Sequence, residues 1–239
     1  MDQMVHSWRP ESGLSSPIVL HRCSMKKPPA SAQKTHTSRG ASTRQRIVDV
    51  TANITYAKGV ERMSLDDVRA HAGVSKSQLY HYFEDKDALV CEVVSAQAAR
   101  VLAAQGTALS ELDSLAALRR WCDCILALNR GGENSGCPIG SLANELANQS
   151  EQARALLVAG FNTWEERLAE GFAKMQENGE LGKSAVPKDL AIGVLCAVQG
   201  GLLLAKTSRS EGPLKVAHAL AYDHVASHSR SKSAKRWSR

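Results

Sequence analysis

The 239-residue chain lacks several features that mark familiar protein classes. Aromatic residues make up 5% of it, and its longest apolar stretch, from Leu190 to Ala205, is interrupted by Gln199 and three glycines. Because that stretch falls short of the roughly 20 residues of a membrane span, we expect a buried helix and no membrane partner. The only apolar run near the start, residues 18–20, is too short for a signal-peptide core, which favours a cytoplasmic protein.

Groups of residues that carry chemistry are also scarce. The sequence shows no nucleophile paired with a base, no carboxylates at catalytic spacing and no phosphate-binding loop, so we do not expect an enzyme or catalytic residues. Its six cysteines form no C-x-x-C pair, and reduced thiols are expected. His224 and His228 have helical spacing but no third ligand, so we predict no metal and no cofactor.

Positive charge is concentrated at the two ends of the chain. Residues 1–40 hold six Lys or Arg against two Asp or Glu, and residues 226–239 hold five Lys or Arg and no acid. The total net charge of +6 therefore leaves the part between them at −3. Basic tails bind polyanions in some proteins and are only solvated in others, so charge alone does not indicate a function.

The pattern of apolar residues is helical over most of the chain. Residues 1–40 are rich in Pro and Ser without periodicity, which predicts a disordered basic tail, and residues 227–239 are predicted to be a second basic tail. Between them apolar residues recur at helical intervals, and strand-like alternation is missing. The fold class predicted is all-α.

Two short helices with separate start signals follow a first helix predicted from about Thr43 to Lys58. Ser64 and Ser75 are each followed three residues later by Asp or Gln, the spacing of a capping box. Gly73 ends the first short helix, and another helix is predicted to begin near Asp85. Two short helices joined by a tight turn are typical of a helix-turn-helix, whose second helix enters the major groove of DNA.

The second short helix divides into two faces. Leu79 and Phe83 are predicted to point inward with Val74, while polar and aromatic side chains lie outward. The outward side chains can reach base edges and phosphates; they are Lys76, Ser77, Tyr80 and His81. The pattern alone also fits an ordinary helical hairpin with a polar surface.

The run from Ser64 to Phe83, with Lys86 following, resembles the N-terminal domain of the tetracycline-repressor (TetR) family. The family pattern is a Ser or Thr cap, an Ala-Gly-Val-Ser turn, Leu-Tyr-x-His-Phe and a later Lys. Tyr82 stands where the family usually has His, and Ser77-Gln78 replaces the common Gly-Thr. Both departures lie on or beside the reading helix, so they bear on which operator is read.

The resemblance implies a residue-level assignment of the DNA contacts. The side chains expected to approach base edges are Lys76, Ser77, Gln78 and His81. Those expected to hold phosphates are Thr43, Arg44, Ser64, Tyr80 and Lys86. Residues 41–88 carry seven basic and seven acidic side chains, so attraction to DNA must come from where charges are placed.

The resemblance also implies a three-helix DNA-binding domain at 41–88 and a larger helical ligand-binding and dimerisation domain at 89–226. Its last two helices would pair in a homodimer, where Gly193, Ala197, Gly200 and Gly201 would permit close approach; an internal core helix is the alternative. Residues 136–146 resemble a segment at the ligand pocket of some family members. The candidate ligand-binding residues are Trp121, Cys122, Ile125, Cys137, Phe161 and Trp164; the aromatic ones also fit an ordinary core.

The function expected is a dimeric, ligand-responsive repressor whose partners are a palindromic DNA operator and a small-molecule inducer. The alternatives are a constitutive DNA-binding protein without an inducer and a small-molecule enzyme in a helical fold. Cys137 directly precedes Pro138 at a predicted helix start, where the helix dipole would lower the pKa of its thiol and make it a candidate sensor. The alternative is a small apolar residue in the pocket wall.

Overall fold

The computed structural model describes residues 38–130 and 136–230, and within them the chain is helical, with one isolated antiparallel bridge, Leu181–Ser229. The helices are α1 (Ser38–Lys58), α2 (Leu65–Ala72), α3 (Lys76–Tyr82), α4 (Lys86–Ser110), α5 (Leu115–Leu128), α6 (Pro138–Leu146), α7 (Glu151–Glu177), α8 (Pro187–Ser208) and α9 (Gly212–Ser227). The all-α prediction is confirmed, and the remainder of the predicted tails lies outside the described residues.

The predicted starts of α2 and α4 are confirmed by their caps. The Ser64 hydroxyl accepts a hydrogen bond from the Asp67 amide at 3.0 Å, and the Asp85 carboxylate accepts one from the Ala88 amide at 2.7 Å. Gly73 ends α2 with φ of 61°, a left-handed conformation that glycine adopts without a Cβ penalty. α1 differs from the prediction, because it begins at Ser38 rather than near Thr43.

The helix-turn-helix packs on α1 and α4 through a continuous apolar core. The three residues predicted to point inward are buried: Val74, Leu79 and Phe83 are 8%, 1% and 5% exposed. They join Ile47 of α1 and Leu89 of α4 in one cluster that extends into the rest of the bundle. α3 therefore rests on a packed base, which fixes the direction of its outer face.

α4 contains a break that the periodicity did not predict. Gly106 has φ of 48° and ψ of −133°, a combination outside the helical region that only glycine adopts readily. Just before it, the Gln105 amide nitrogen donates to the Val101 carbonyl at 2.8 Å and its oxygen accepts from the Trp121 indole at 2.7 Å. The buried Gln105 thus anchors the end of the straight part of α4 to α5.

α8 is the most apolar long helix. By length and composition alone it is long enough to cross a membrane, but 39% of its most apolar window is buried within the chain, and a core helix passes the same test. A Cβ on Gly201 would lie 2.5 Å from the Cβ of Ala217, and one on Gly193 would lie 3.4 Å from the His224 ring. These two glycines therefore allow α8 to pack closely against α9 within the chain. On this face α8 is an internal core helix, the alternative to a dimer interface.

The segment after α9 continues in ordered backbone contacts. The Gly182 amide donates to the His228 carbonyl at 2.8 Å, and the Arg230 amide donates to the Glu180 carbonyl at 3.0 Å. Residues 228–230 thereby close the turn between α7 and α8, although the composition predicted that a tail begins at residue 227.

Candidate nucleic-acid interface and ligand cavity

α3 is held in place by a complete capping box. The Gln78 amide donates to the Ser75 hydroxyl at 3.1 Å, and the Ser75 amide donates to the Gln78 side-chain oxygen at 2.8 Å. Two amide groups at the start of α3 are therefore satisfied within the turn. Gln78 is exposed as expected, but its side-chain oxygen is engaged in the box, which leaves its amide nitrogen as the donor that can face a base.

The outer face of α3 presents the side chains expected at base edges. Lys76, Ser77 and His81 are exposed, and Tyr80 is 47% exposed although it is a large aromatic residue. Ser77 lies at the helix start, where its hydroxyl is 3.0 Å from the hydroxyl of Ser75. This face combines a cation, hydroxyl groups and an imidazole over a buried apolar base, the composition of a surface that reads DNA.

Lys86 connects the start of α4 with the loop before α2. Its ammonium donates to the Met63 carbonyl at 2.8 Å and lies 3.5 Å from the Glu61 carbonyl. Ser64, the next residue of that loop, uses its hydroxyl as the α2 cap. The structure therefore brings Lys86 and Ser64 together at one edge of the helix-turn-helix, and both have structural roles there as well.

Arg44 is engaged within the chain. Its guanidinium donates to the Glu92 carboxylate at 2.7 Å and lies 5.2 Å from the centre of the Phe83 ring. The hydrogen bond with Arg44 holds the pKa of Glu92 below its usual range. Arg44 thus ties α1 to α4 and to the end of α3, a positioning contact that sequence spacing did not reveal, and its neighbour Thr43 is half-buried.

A second ion pair steadies the turn before α2. The Lys58 ammonium lies 2.7 Å from the Asp67 carboxylate, and this hydrogen bond, with that of Ser64, holds the pKa of Asp67 below its usual range. Both side chains are about two-fifths exposed, so solvent screens the pair and its contribution to stability is small.

A half-open cavity of about 230 Å³ lies among α4, α5, α6, α7 and α8. Three of the six predicted ligand-binding residues, Ile125, Cys137 and Trp164, line it. The other lining residues are Gln97, Arg100, Val101, Ala104, Gln105, Leu128, Asn129, Gly136, Pro138 and Leu202. A groove of about 310 Å³ between α4 and α7 contains none of the predicted residues and has exposed charged walls, so we regard the smaller, mainly apolar cavity as the candidate site.

The remaining predicted ligand residues lie outside the cavity wall. Trp121 is fully buried and donates its indole N–H to Gln105, and Cys122 is fully buried, which raises the pKa of its thiol to about 12. Phe161 is half-buried against the core. Trp121 is connected to the cavity through its hydrogen bond with Gln105, which lines it.

The direction expected for the Cys137 pKa is wrong. Cys137 is 7% exposed, and burial raises the pKa of its thiol, although the amides of Gly140 and Ile139 and the Gln199 side chain favour the thiolate. Removal from water therefore outweighs the helix start. The predicted position at the N-cap of α6, with Pro138 as the first helical residue, is confirmed.

α6 connects the cavity to the DNA-binding part of the chain. Pro138, at its first position, lines the cavity, and Glu145, one residue before its end, accepts a hydrogen bond of 2.6 Å from the Val60 amide. Lys206 of α8 lies beside the same helix: its ammonium donates to the Ser141 hydroxyl at 3.2 Å and lies 4.7 Å from the centre of the Tyr56 ring of α1. A nine-residue helix thus contacts both regions.

Sequence profiles of two protein families match the two parts of the chain. The profile of bacterial regulatory proteins of the tetR family matches residues 47–93, which contain α2, α3 and most of α1. The profile of the C-terminal domain of LmrA/YxaF-like transcriptional regulators matches residues 114–220. The predicted boundary at 88 falls inside α4, near the end of the first matched range.

Curated relatives and solved structures agree with these profiles. The HTH-type transcriptional repressor DhaR of Mycobacterium sp. strain GP1 is 27% identical over 72% of this chain and 86% of DhaR. The transcriptional regulator AcuR of Cereibacter sphaeroides is 30% identical over 66% of this chain and 73% of AcuR. The regulatory protein TetR from Rhodobacter sphaeroides superimposes with a TM-score of 0.68 at 26% identity, over 76% of this chain and 98% of that structure.

A regulator from Cytophaga hutchinsonii has the same fold, with a TM-score of 0.74 at 17% identity over 82% of this chain and 100% of that one. Family profiles, relatives and structures together cover both the helix-turn-helix and the C-terminal helices. This chain therefore belongs to the TetR family and is a transcriptional regulator of the repressor type with a helix-turn-helix DNA-binding domain.

Proposed function

We propose that the protein is a homodimer that binds a pseudo-palindromic operator through α3 and is released from it by a small-molecule inducer. The observation that carries the DNA part is the outer face of α3, where Lys76, Ser77 and His81 are exposed over the buried Leu79. We assign base contacts to these three and to the Gln78 amide nitrogen. Tyr80 at 47% exposure, Ser64 and Lys86 are assigned to phosphates.

In this proposal Arg44 and Thr43 contribute less to phosphate binding than the sequence predicted. The Arg44 guanidinium is occupied by Glu92 and Phe83, so we assign it the task of holding α3 against α1 and α4. Thr43, which is half-buried in the second turn of α1, remains a phosphate candidate.

Dimerisation is supported by apolar side chains that α8 and α9 leave uncovered. Leu203 and Leu204 are 54% and 58% exposed, and Leu220 of α9 is 63% exposed. Gly200 has no atom within 4 Å of an added Cβ, so a second backbone can approach α8 there. Exposed apolar residues clustered on one helix pair are typical of a protein–protein interface, and a second copy of this chain fits a self-complementary helical face.

A two-fold dimer presents one reading helix from each subunit, so the operator should contain two related half-sites about one helical turn of DNA apart. Residues 41–88 have a net charge of zero, so their overall attraction to DNA is weak. The positions of individual charged side chains must therefore orient α3 on DNA.

Ligand response is supported by the cavity and by the position of α6. A ligand seated against Cys137 and Pro138 touches the start of α6, whose other end holds Val60 through Glu145. A constitutive DNA-binding protein would need no such cavity, which favours the inducible reading over that alternative. The relatives are transcriptional regulators, and we infer that this protein is likewise not an enzyme and acts in the cytoplasm, where its DNA lies.

The test is selection of bound DNA from a random library by the full-length protein, followed by a gel-shift titration of the selected DNA with a compound panel. The proposal requires an inverted repeat in the selected DNA and at least one compound that releases it. A single unpaired half-site would contradict the dimeric reading, and an operator complex that survives every compound filling the cavity would contradict ligand response.

A further inference from the structure

Several polar side chains around the 230 Å³ cavity have partners elsewhere in the chain. The Arg100 guanidinium is paired with the Asp49 carboxylate. Gln105 has both ends of its amide bonded, to Val101 and to Trp121. Because the one described cation in the wall already has its counter-ion, the cavity offers little to compensate a charged ligand for leaving water.

Asn129 is satisfied in the same way at the cavity mouth. Its amide nitrogen donates to the Ile125 carbonyl at 3.0 Å, and its oxygen accepts from the Gly136 amide at 2.8 Å. The Cys137 thiol stays neutral, since burial raises its pKa. Apart from the half-buried Gln97, whose side-chain amide has no hydrogen-bond partner among the described residues, the neutral polar groups of the wall thus have their hydrogen bonds already made.

In the described part of the chain, Trp164 also has a polar group without a partner, and that group is buried. Its side chain lines the cavity and is 1% exposed, yet its indole nitrogen has no hydrogen-bond partner among the described residues. A buried donor without an acceptor is uncommon and costs free energy. Since the nitrogen has no water to lose, an acceptor that reaches it after a small shift of the wall gains the hydrogen bond without the usual exchange with solvent.

The cavity volume limits the size of the ligand. A dry cavity of about 150 Å³ accommodates benzene, so 230 Å³ corresponds to about nine non-hydrogen atoms. Drug-sized ligands occupy pockets of about 300–1,000 Å³. The part of a ligand that this half-open cavity encloses is therefore smaller than these.

We propose that the cavity binds a small, uncharged and mainly apolar molecule with one hydrogen-bond acceptor, such as a ketone, aldehyde or ester carbonyl, and that Trp164 selects it by donating its indole N–H to that acceptor. This inference rests on the ligand response proposed above and names the chemical class of the ligand. Carboxylates are disfavoured by the same argument, because Arg100, the described cation in the wall, is already paired with Asp49.

The experiment compares three probes with equal numbers of non-hydrogen atoms: acetophenone, α-methylstyrene and benzoate. Calorimetry with the full-length protein is expected to show acetophenone binding about tenfold more tightly than α-methylstyrene, in which a methylene replaces the carbonyl oxygen. Benzoate is expected to bind most weakly. With ¹⁵N-labelled tryptophan, acetophenone should shift the Trp164 indole N–H resonance downfield, and α-methylstyrene should not.

Trp164→Phe keeps an aromatic ring and removes the donor. In this variant acetophenone and α-methylstyrene should bind with equal affinity, near that of α-methylstyrene for the unchanged protein. Trp121→Phe is the matched control: its indole already donates to Gln105, so the preference for the ketone should survive. The hydrocarbon affinity of each variant reports whether the cavity is intact.

Equal affinity of the ketone and the hydrocarbon, tighter binding of benzoate, binding of none of the three probes, or a preference that persists in Trp164→Phe would overturn the inference. The ligand response is judged separately, on operator DNA. If acetophenone binds with the expected preference and the operator complex survives every compound, ligand response fails and this inference stands. If acetophenone shows no preference over α-methylstyrene and another class of compound releases the DNA, ligand response stands and this inference fails.

Discussion

The Glu145 carboxylate of α6 accepts a hydrogen bond of 2.6 Å from the backbone amide of Val60, in the loop that leads from α1 to the helix-turn-helix. Gly59 makes this contact possible. Its φ of 85° turns the chain at the end of α1, and a Cβ at this position would lie only 3.0 Å from the same carboxylate oxygen. The side chain that joins the two parts of the protein therefore depends on a glycine at the turn.

Glu145→Ala should destabilise the protein by about 1–3 kcal/mol, because the partly buried Val60 amide loses a charged acceptor. Urea denaturation measures the change. Glu170→Ala is the control, since Glu170 is more than half exposed and bonds only Arg167 on its own helix, and we expect a change within about 0.5 kcal/mol. Equal losses in both variants would show that the Glu145 contact has no special role.

Stability should fall between neutral and acidic pH because of His218. This residue is 1% exposed, its Nε2 has no partner in the described residues, and burial lowers its pKa from 6.5 to about 4. As the pH drops below 6.5, His218 in the unfolded chain binds a proton before His218 in the folded protein does. The free energy of unfolding therefore keeps its full value at higher pH and falls towards pH 4.

The loss assigned to His218 is about 2 kcal/mol between about pH 7.5 and about pH 5. His218→Met, which cannot ionise, should remove that much of the pH dependence in urea denaturation while other titrating groups keep theirs. An unchanged pH dependence in His218→Met would mean that His218 is protonated in the folded protein as readily as in the unfolded chain.

Leu203→Glu should convert the proposed dimer to monomer. A carboxylate in place of a side chain that is 54% exposed leaves one subunit unharmed but must be desolvated when two α8 helices meet. Sedimentation equilibrium measures the mass. Val158→Glu on α7, which is 45% exposed, is the matched control and should remain dimeric. A dimeric Leu203→Glu protein would place the interface elsewhere.

In the Leu203→Glu variant, in which no second subunit should cover α8, Cys137 should react more slowly with a thiol reagent than Cys196. Burial raises the pKa of the Cys137 thiol and blocks access, whereas Cys196 is exposed on α8. Mass spectrometry after timed alkylation identifies the modified residue. Faster modification of Cys137 would restore the sensor role that its place at the start of α6 suggested.

Local patterns predicted the helix-turn-helix well, because its signals are short in range. Ser64 and Ser75 cap helices within three residues of themselves, and the inward positions of Leu79 and Phe83 follow from helical periodicity alone. α1 begins earlier than predicted, at Ser38, because a helix that is already nucleated extends over neighbouring residues whose own helix propensity is weak.

The cavity was only half predictable, because its wall is assembled from five helices far apart in the sequence. Trp121 and Trp164 look alike as periodic aromatic residues, yet the first donates to Gln105 and the second has no partner for its indole nitrogen among the described residues. Nor does any local pattern show that Arg44 reaches Glu92, 48 residues away, or that Glu145 reaches Val60, 85 residues away. Such contacts depend on the tertiary arrangement.

The central claim is that α3 reads the operator, and DNA selection with two variants tests it most directly. Lys76→Ala should relax the preference at one or two base pairs in each half-site and weaken binding to the preferred sequence by about 1–3 kcal/mol. Tyr80→Phe should weaken binding to all sequences alike and leave the selected motif unchanged, because we assign the hydroxyl that it removes to a phosphate. A motif left unaltered by Lys76→Ala, or altered by Tyr80→Phe alone, would contradict the account.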